Sequence, residues 1–170
     1  GEYYDKDAAV AKNGTVNEPL LAALLDNEFL QQPLPKTTGP ELFNLAYLQS
    51  AQLRSGATEL DLEDIMATLN QFTARTIVQA IQPLLNSTTQ SKIFISGGGI
   101  HNPLLIQSIQ RELPGVEILT TEAKGINPDA KEAILFAILA NETVAGNAES
   151  FPSGLDNFPA INMGKVSFPG

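Results

Sequence analysis

The feature that most constrains this chain is the run Ile93-Phe94-Ile95-Ser96-Gly97-Gly98-Gly99-Ile100-His101-Asn102-Pro103. A β-rich segment stops at three glycines, and the Asn-Pro pair that follows reads as a helix N-cap with proline at the first helical position. Glycine permits positive φ and lets a ligand reach the backbone. A helix start adds free N–H groups and a partial positive charge, which favour an anion. In α/β sheets ligands bind at the carboxyl ends of the strands, where this turn falls. The competing reading is a tight strand-to-helix turn with no ligand. The run is neither a G-x-G-x-x-G fingerprint nor a Walker A loop, because no Gly-Lys-Ser/Thr follows the glycines.

The turn belongs to a pattern. Lys92 to Ser96 and Val116 to Thr120 read as strands, each followed by an Asn-Pro helix start, Asn102-Pro103 and Asn127-Pro128. Residues 92–146 therefore predict strand, helix, strand, helix, the α/β order of parallel strands joined by right-handed crossovers. The last helix is expected to begin at Pro128, with Glu132 in its second turn and Ala133, Ala137 and Ala140 packed on the sheet. Residues 18–85 read as mainly helical. Asn17 caps a helix carrying Leu20, Leu21, Leu24, Leu25 and Phe29, and a second helix opens near Thr38 or Gly39 with Pro40 and Glu41 in its first turn. Asp61 caps a third, with Asp64 at the capping-box position. Ile65, Leu69, Phe72, Ile77, Ile81 and Leu84 trace its apolar stripe, with Asn70 off it. Asp61, Glu63 and Asp64 at that helix start serve capping and the dipole rather than catalysis. The segment before residue 17 predicts a short strand or turn, and residues 147–170, rich in Phe, Pro and Gly, an irregular packed strap. Two strands make a thin sheet for a chain this long.

Composition removes several classes of function. Ten Lys and Arg against 19 Asp and Glu leave a net charge of −9 in 170 residues. Without a cluster of basic residues, nucleic acid is not the expected partner. No apolar run approaches the ~20 residues that span a bilayer, so no membrane partner is expected. There are no cysteines, which excludes disulfides and thiolate chemistry and fits a cytoplasmic protein. A single histidine, His101, excludes zinc sites built on two or three imidazoles, and no metal site is expected.

Several segments together carry a family resemblance. Gly97-Gly98-Gly99-Ile100-His101-Asn102-Pro103 looks like the adenosine-loop glycines of the anhydro-N-acetylmuramic acid kinase family. Tyr4-Asp5-Lys6-Asp7 resembles that family's Tyr-Asp-Lys-Asp-Gly run, with Ala8 in place of the glycine. Pro35-Lys36-Thr37-Thr38-Gly39-Pro40-Glu41-Leu42-Phe43-Asn44 resembles its Pro-Lys-Ser/Thr-Thr-Gly-Arg-Glu-x-Phe-Asn block, with Pro40 for Arg. Thr73-Ala74-Arg75-Thr76-Ile77 is similar to the centre of its long helix, and Asp129 to Ala137 to its last core helix. Order and spacing agree over roughly residues 3–147.

The resemblance implies an α/β fold of the sugar kinase, Hsp70 and actin superfamily, with this chain a single domain forming the C-terminal, ribonuclease-H-like lobe of a two-lobed kinase. It implies ATP-dependent opening of the 1,6-anhydro ring with water and phosphorylation of O6, giving N-acetylmuramic acid 6-phosphate in cytoplasmic peptidoglycan recycling. The partners it implies are the amino sugar, ATP and the N-terminal lobe. The apolar surface of the long helices leaves a homodimer open. The family's Gly-Thr-Ser-x-Asp-Gly phosphate loop and its Asp-Thr-Gly-Pro-Gly-Asn segment, with the catalytic aspartate, do not occur here. The resemblance thus places no catalytic residue in this chain and predicts that the chain alone is inactive, with Mg²⁺ held mainly elsewhere. It assigns Gly97, Gly98, Gly99, His101 and Asn102 to the nucleotide, and Glu132 to the sugar. Lys36, Thr37 and Thr38 stand as sugar or phosphate contacts against an ordinary helix-start loop. His101 fits loop anchoring as well as a nucleotide edge contact, and Asn102 fits a cap. Two alternatives stay open: a non-catalytic actin-like lobe that binds nucleotide or a partner, and a kinase of the same superfamily for another sugar.

Overall fold

The computed structural model describes residues 4–85 and 91–145. The strap expected over residues 147–170 lies outside them. The described residues form six α-helices and one two-stranded parallel sheet, a helix-rich α/β arrangement.

The opening segment forms turns rather than a strand. Asp5 organises it: one carboxylate oxygen accepts from Val10 N–H at 2.8 Å and the other from Ala11 N–H at 3.0 Å. Within this hairpin of 3₁₀ turns Asp7 and Ala8 both take left-handed backbone, φ 55° and 54°. Glycine is the residue that adopts such φ without steric cost. A glycine at position 8 in the family pattern has this backbone as its physical reason, and buried Ala8 bears the cost here.

Helix α1 (Glu18–Leu25) starts where Asn17 accepts from Leu20 N–H at 2.9 Å. The apolar run does not continue as one helix to Phe29. Asn27 accepts from Phe29 N–H, ends α1 and starts the short α2 (Glu28–Gln31); an amide side chain competing for local backbone donors breaks a helix in this way. Helix α3 (Leu45–Ser55) begins later than Gly39-Pro40 predicts. Glu41 folds back to accept from Gly39 N–H at 2.7 Å, and Asn44 caps the helix by accepting from Tyr47 N–H. Residues 40–43 are therefore a turn.

Helix α4 (Leu62–Ile81) is the spine. Asp61 holds its N-cap position without a side-chain cap bond, and Asp64 accepts from Thr15 N–H at 2.7 Å, so that carboxylate ties the opening segment to the helix. The buried positions of α4 are Ala67, Thr68, Asn70, Ala74 and Val78, not the expected Ile-Leu-Phe stripe, whose members from Ile65 to Ile81 are half-buried and whose last, Leu84, lies exposed beyond the helix. The reason is that α4 packs on two sides. Leu69 and Phe72 lean on a cluster built on Leu20, Leu24, Ala51 and Ala57, while Ala74 and Val78 join Leu105, Ile109 and Leu113. Small residues on the face between allow close approach. Pro83 ends α4 in a 3₁₀ turn, as predicted.

Strand β1 (Lys92–Ile95) pairs in parallel with β2 (Glu117–Thr120), Ile93 opposite Ile118. Helix α5 (Pro103–Glu112) connects them and covers one face, on which Ile93 and Ile118 pack. Helix α6 (Lys131–Ala145) begins three residues later than Pro128. Asn127 accepts from Asp129 N–H at 2.9 Å and its carbonyl from Ala130 N–H at 3.1 Å, a closed turn that holds the helix back. Glu132 thus sits in the first turn, not the second. No residue of α6 is buried: Ala133, Ala137 and Ala140, expected on the sheet, are exposed, as is Phe136 at 68%. Among the described residues the sheet has two strands, and the helix packed on it is α5.

Candidate functional site

A cleft of about 830 Å³ opens where three sequence-distant segments meet. Tyr4, Asp5, Lys6 and Asp7 form one wall, and Met66, Leu69, Asn70 and Thr73 of α4 form the second. Gly98, Gly99, His101 and Asn102 form the third, with Leu105 of α5 behind them. The surface is mostly apolar, with a few polar groups converging on it, which is the usual constitution of a small-molecule site.

The glycine turn is built from its local chemistry. Gly97 takes φ 84° and ψ 177°, a conformation closed to residues with a Cβ, and its N–H donates to Pro128 O at 3.1 Å. Gly98 has no such backbone requirement. A Cβ placed there meets nothing within 4 Å, and one on Gly99 meets only Leu105 Cδ2 at 3.7 Å. Neither the Gly98 nor the Gly99 N–H has an acceptor among the described residues. Two residues of the cleft wall thus carry N–H groups with no acceptor among the described residues, beside the first turn of α5. That combination suits an anionic ligand at close range.

Two asparagines lock the turn in place. Asn102 Oδ1 accepts from Leu105 N–H at 2.9 Å, the expected cap of α5. It also accepts from Asn70 Nδ2 at 3.1 Å, which joins the turn to α4. His101 Nε2 lies 2.9 Å from Asp129 Oδ1, both side chains more than half exposed. With the Gly97–Pro128 bond this ties the glycine turn to the turn before α6.

The remaining predicted site residues lie apart from the cleft lining. Lys36 Nζ donates to the carbonyls of Phe29 and Leu30 at 3.0 and 2.8 Å and sits 5.2 Å from the centre of the Phe29 ring. It caps the C-terminal end of α2. Thr37 and Thr38 are exposed on the adjoining loop, and Glu132 is exposed on α6. In the other direction, α4 supplies a whole wall of the cleft that motif reading did not identify. Its sequence signals are Leu69 in the apolar stripe of the helix and Thr73 at the edge of the family-like Thr73–Ile77 stretch, neither of which points to a cleft.

The described residues hold no cluster of three or more His, Asp or Glu that would bind a metal, and no helix among them is long and apolar enough to cross a membrane.

Fold and cleft thus define a helix-rich α/β protein with a cleft walled on one side by glycines, and comparison with known proteins supplies its relatives. The family model described as anhydro-N-acetylmuramic acid kinase matches residues 1–168. The chain belongs to the anhydro-N-acetylmuramic acid kinase family. It is 48% identical over 167 residues to the protein of that name from Pseudoalteromonas translucida and 49% identical over 168 residues to that from Pseudoalteromonas atlantica, 98% of this chain and 42% of the relative in both cases. The Caldanaerobacter subterraneus protein is 39% identical over 165 residues, 96% of this chain and 42% of its own length. The chain spans less than half the length of these curated relatives.

Proposed function

We propose that this chain is the C-terminal, actin-like lobe of a cytoplasmic kinase that phosphorylates 1,6-anhydro-N-acetylmuramic acid at O6 with ATP, opening the anhydro ring with water, in peptidoglycan recycling. The observation that carries the reading is the convergence of Tyr4 to Asp7 and Gly98 to Asn102, two segments about 90 positions apart, on one cleft of a chain in this kinase family.

Within this reading the residues divide the work. The Gly98 and Gly99 N–H groups donate to phosphate oxygens at the adenosine side, and the absence of a Cβ allows the approach. The apolar surface of Leu69, Met66 and Leu105 takes the base. Asn102 holds the turn rigid, so the donors are set before the ligand arrives. Bound ATP supplies the transferable phosphoryl group. The acidic chain offers few lysines, so backbone N–H groups and the helix end carry the phosphate contacts. Mg²⁺ is held mainly by the polypeptide beyond these residues, together with the catalytic aspartate. Glu132, in the first turn of α6, accepts from the sugar, and its helix is tied to the nucleotide turn through Pro128 and Asp129. Lys36, whose ammonium is engaged with helix carbonyls, acts on any neighbouring sugar contact only by shaping the loop of Thr37 and Thr38.

The test is phosphate transfer from ATP to 1,6-anhydro-N-acetylmuramic acid by the full-length protein. Formation of the 6-phosphate is the expected result. Turnover with a different sugar alone would change the substrate, and nucleotide binding without any turnover would leave a binding lobe.

A further inference from the structure

Asn70 presents a problem that the fold alone does not solve. It lies on the buried face of α4, 9% exposed, between Ala67 and Ala74. Its orientation is forced. Asn102 Oδ1 is already pinned as acceptor by Leu105 N–H, so only the amino end of Asn70 can face it. Asn70 Oδ1 is left buried with no donor among the described residues. A buried carbonyl without a partner is a net cost to folding, and an apolar residue of similar size would avoid it. Position 70 is therefore not optimised for stability, although every other fully buried residue of the α4–α5 contact is apolar or small.

What Asn70 does provide is a clamp. Asn102 is both the last residue of the glycine turn and the cap of α5. The Asn70 amide fixes the Asn102 side chain from the α4 side, at a point where Asn70 itself lines the cleft. We propose that Asn70 is a positioning residue for the nucleotide: acting through Asn102, it holds Gly98 and Gly99 at the geometry that binds, at the expense of fold stability. This rests on the reading of the glycine turn as a nucleotide site.

The experiment measures ATP affinity by calorimetry and thermal midpoint on the full-length protein, for Asn70→Leu, Asn70→Ala, Asn102→Ala and the double variant Asn70→Leu/Asn102→Ala. Asn70→Leu is expected to keep or raise the midpoint while weakening ATP binding roughly tenfold, the worth of one positioned hydrogen bond. Asn70→Ala gives the same loss of affinity if leucine is too bulky for the site. Because Asn70 acts through Asn102, its effect on affinity should disappear in the Asn102→Ala background. Three results would overturn the proposal: unchanged affinity in both Asn70 variants, loss of affinity that tracks loss of stability in both, or an effect that adds fully to that of Asn102→Ala. Gly98→Val is the control for the underlying reading. If it too leaves ATP affinity unchanged, the nucleotide site itself is wrong; if it abolishes binding while Asn70→Leu does not, only the clamp is wrong.

Discussion

Gly14 and Gly98 occupy comparable turns, one leading toward α1 and the other toward α5, and they are glycine for opposite reasons. A Cβ on Gly14 would lie 2.0 Å from Glu63 O and 2.6 Å from Asp64 N, inside the backbone of the α4 start. A Cβ on Gly98 would meet nothing within 4 Å. The first glycine is demanded by packing. The second is not demanded by anything in the fold and faces a cleft. The same contrast holds for the regions around them. In the helical part, Leu20 and Leu24 are fully buried, and Phe43 meets Phe29, Tyr47 and Phe72 edge to face, with ring centres 5.1–5.9 Å apart. In the segment from β1 to α6, among the described residues, the Gly98 and Gly99 donors lack acceptors and no residue of α6 is buried. Residues that a neighbour explains belong to folding, and residues without such an explanation are the ones to test for a role in binding.

The comparison can be broken at its strongest point by Gly14→Ala. The overlap with α4 backbone cannot be relieved by a rotamer change, so a loss of about 3 kcal/mol or more is expected in denaturant unfolding, with ligand affinity per folded molecule unchanged. Full stability in that variant would mean that the packed region tolerates what its geometry forbids. The border between the regions is probed next. Asn102→Ala removes a cap worth about 1 kcal/mol and also frees the glycine turn, so both the melting midpoint and ATP affinity should fall. A fall in only one of them would separate the two roles that a single side chain appears in here. The smallest effect concerns pH. Burial raises the Tyr47 phenol above its ordinary value, against the lowering influence of Arg54, and its hydroxyl donates to Leu24 O. A raised phenol keeps its proton longer in the folded state. Its stabilising contribution is therefore complete below about pH 10 and is lost as pH rises through the folded pKa. Thermal midpoints should fall more steeply above pH 10 for the native chain than for Tyr47→Phe, and parallel slopes would remove that role.

Much of the fold was legible because it is local chemistry. Asn17 and Asn102 cap where an asparagine before an apolar helical run should, and Pro83 stops α4. The errors are also local, and each has a competitor that won. Asn27 and Asn127 turned the chain where an apolar run or an Asn-Pro pair suggested a continuous helix, and Glu41 closed a turn where a helix start was expected. The glycine turn could be read because strand, glycines and cap are contiguous. The α4 wall could not, because Met66, Leu69 and Asn70 belong to no motif, and they and Thr73, the edge of a family-like stretch, meet the cleft only when α4 is placed against two other segments. Helix α6 reads as a core helix because its small and apolar residues fit burial, and among the described residues nothing buries them.

The central claim is that Gly98 is kept for a nucleotide and not for the fold. Titration of ATP into full-length Gly98→Val, beside its melting curve, tests it most directly. Gly98 lines the cleft, and a Cβ there meets no protein atom within 4 Å, so a side chain can be added beside the two N–H groups. The expected result is a native melting midpoint with ATP affinity reduced by at least about a hundredfold, in line with the loss of two charge-assisted hydrogen bonds. Native affinity in a folded variant would contradict the claim, and so would a collapse of the fold, since that would make Gly98 a second Gly14.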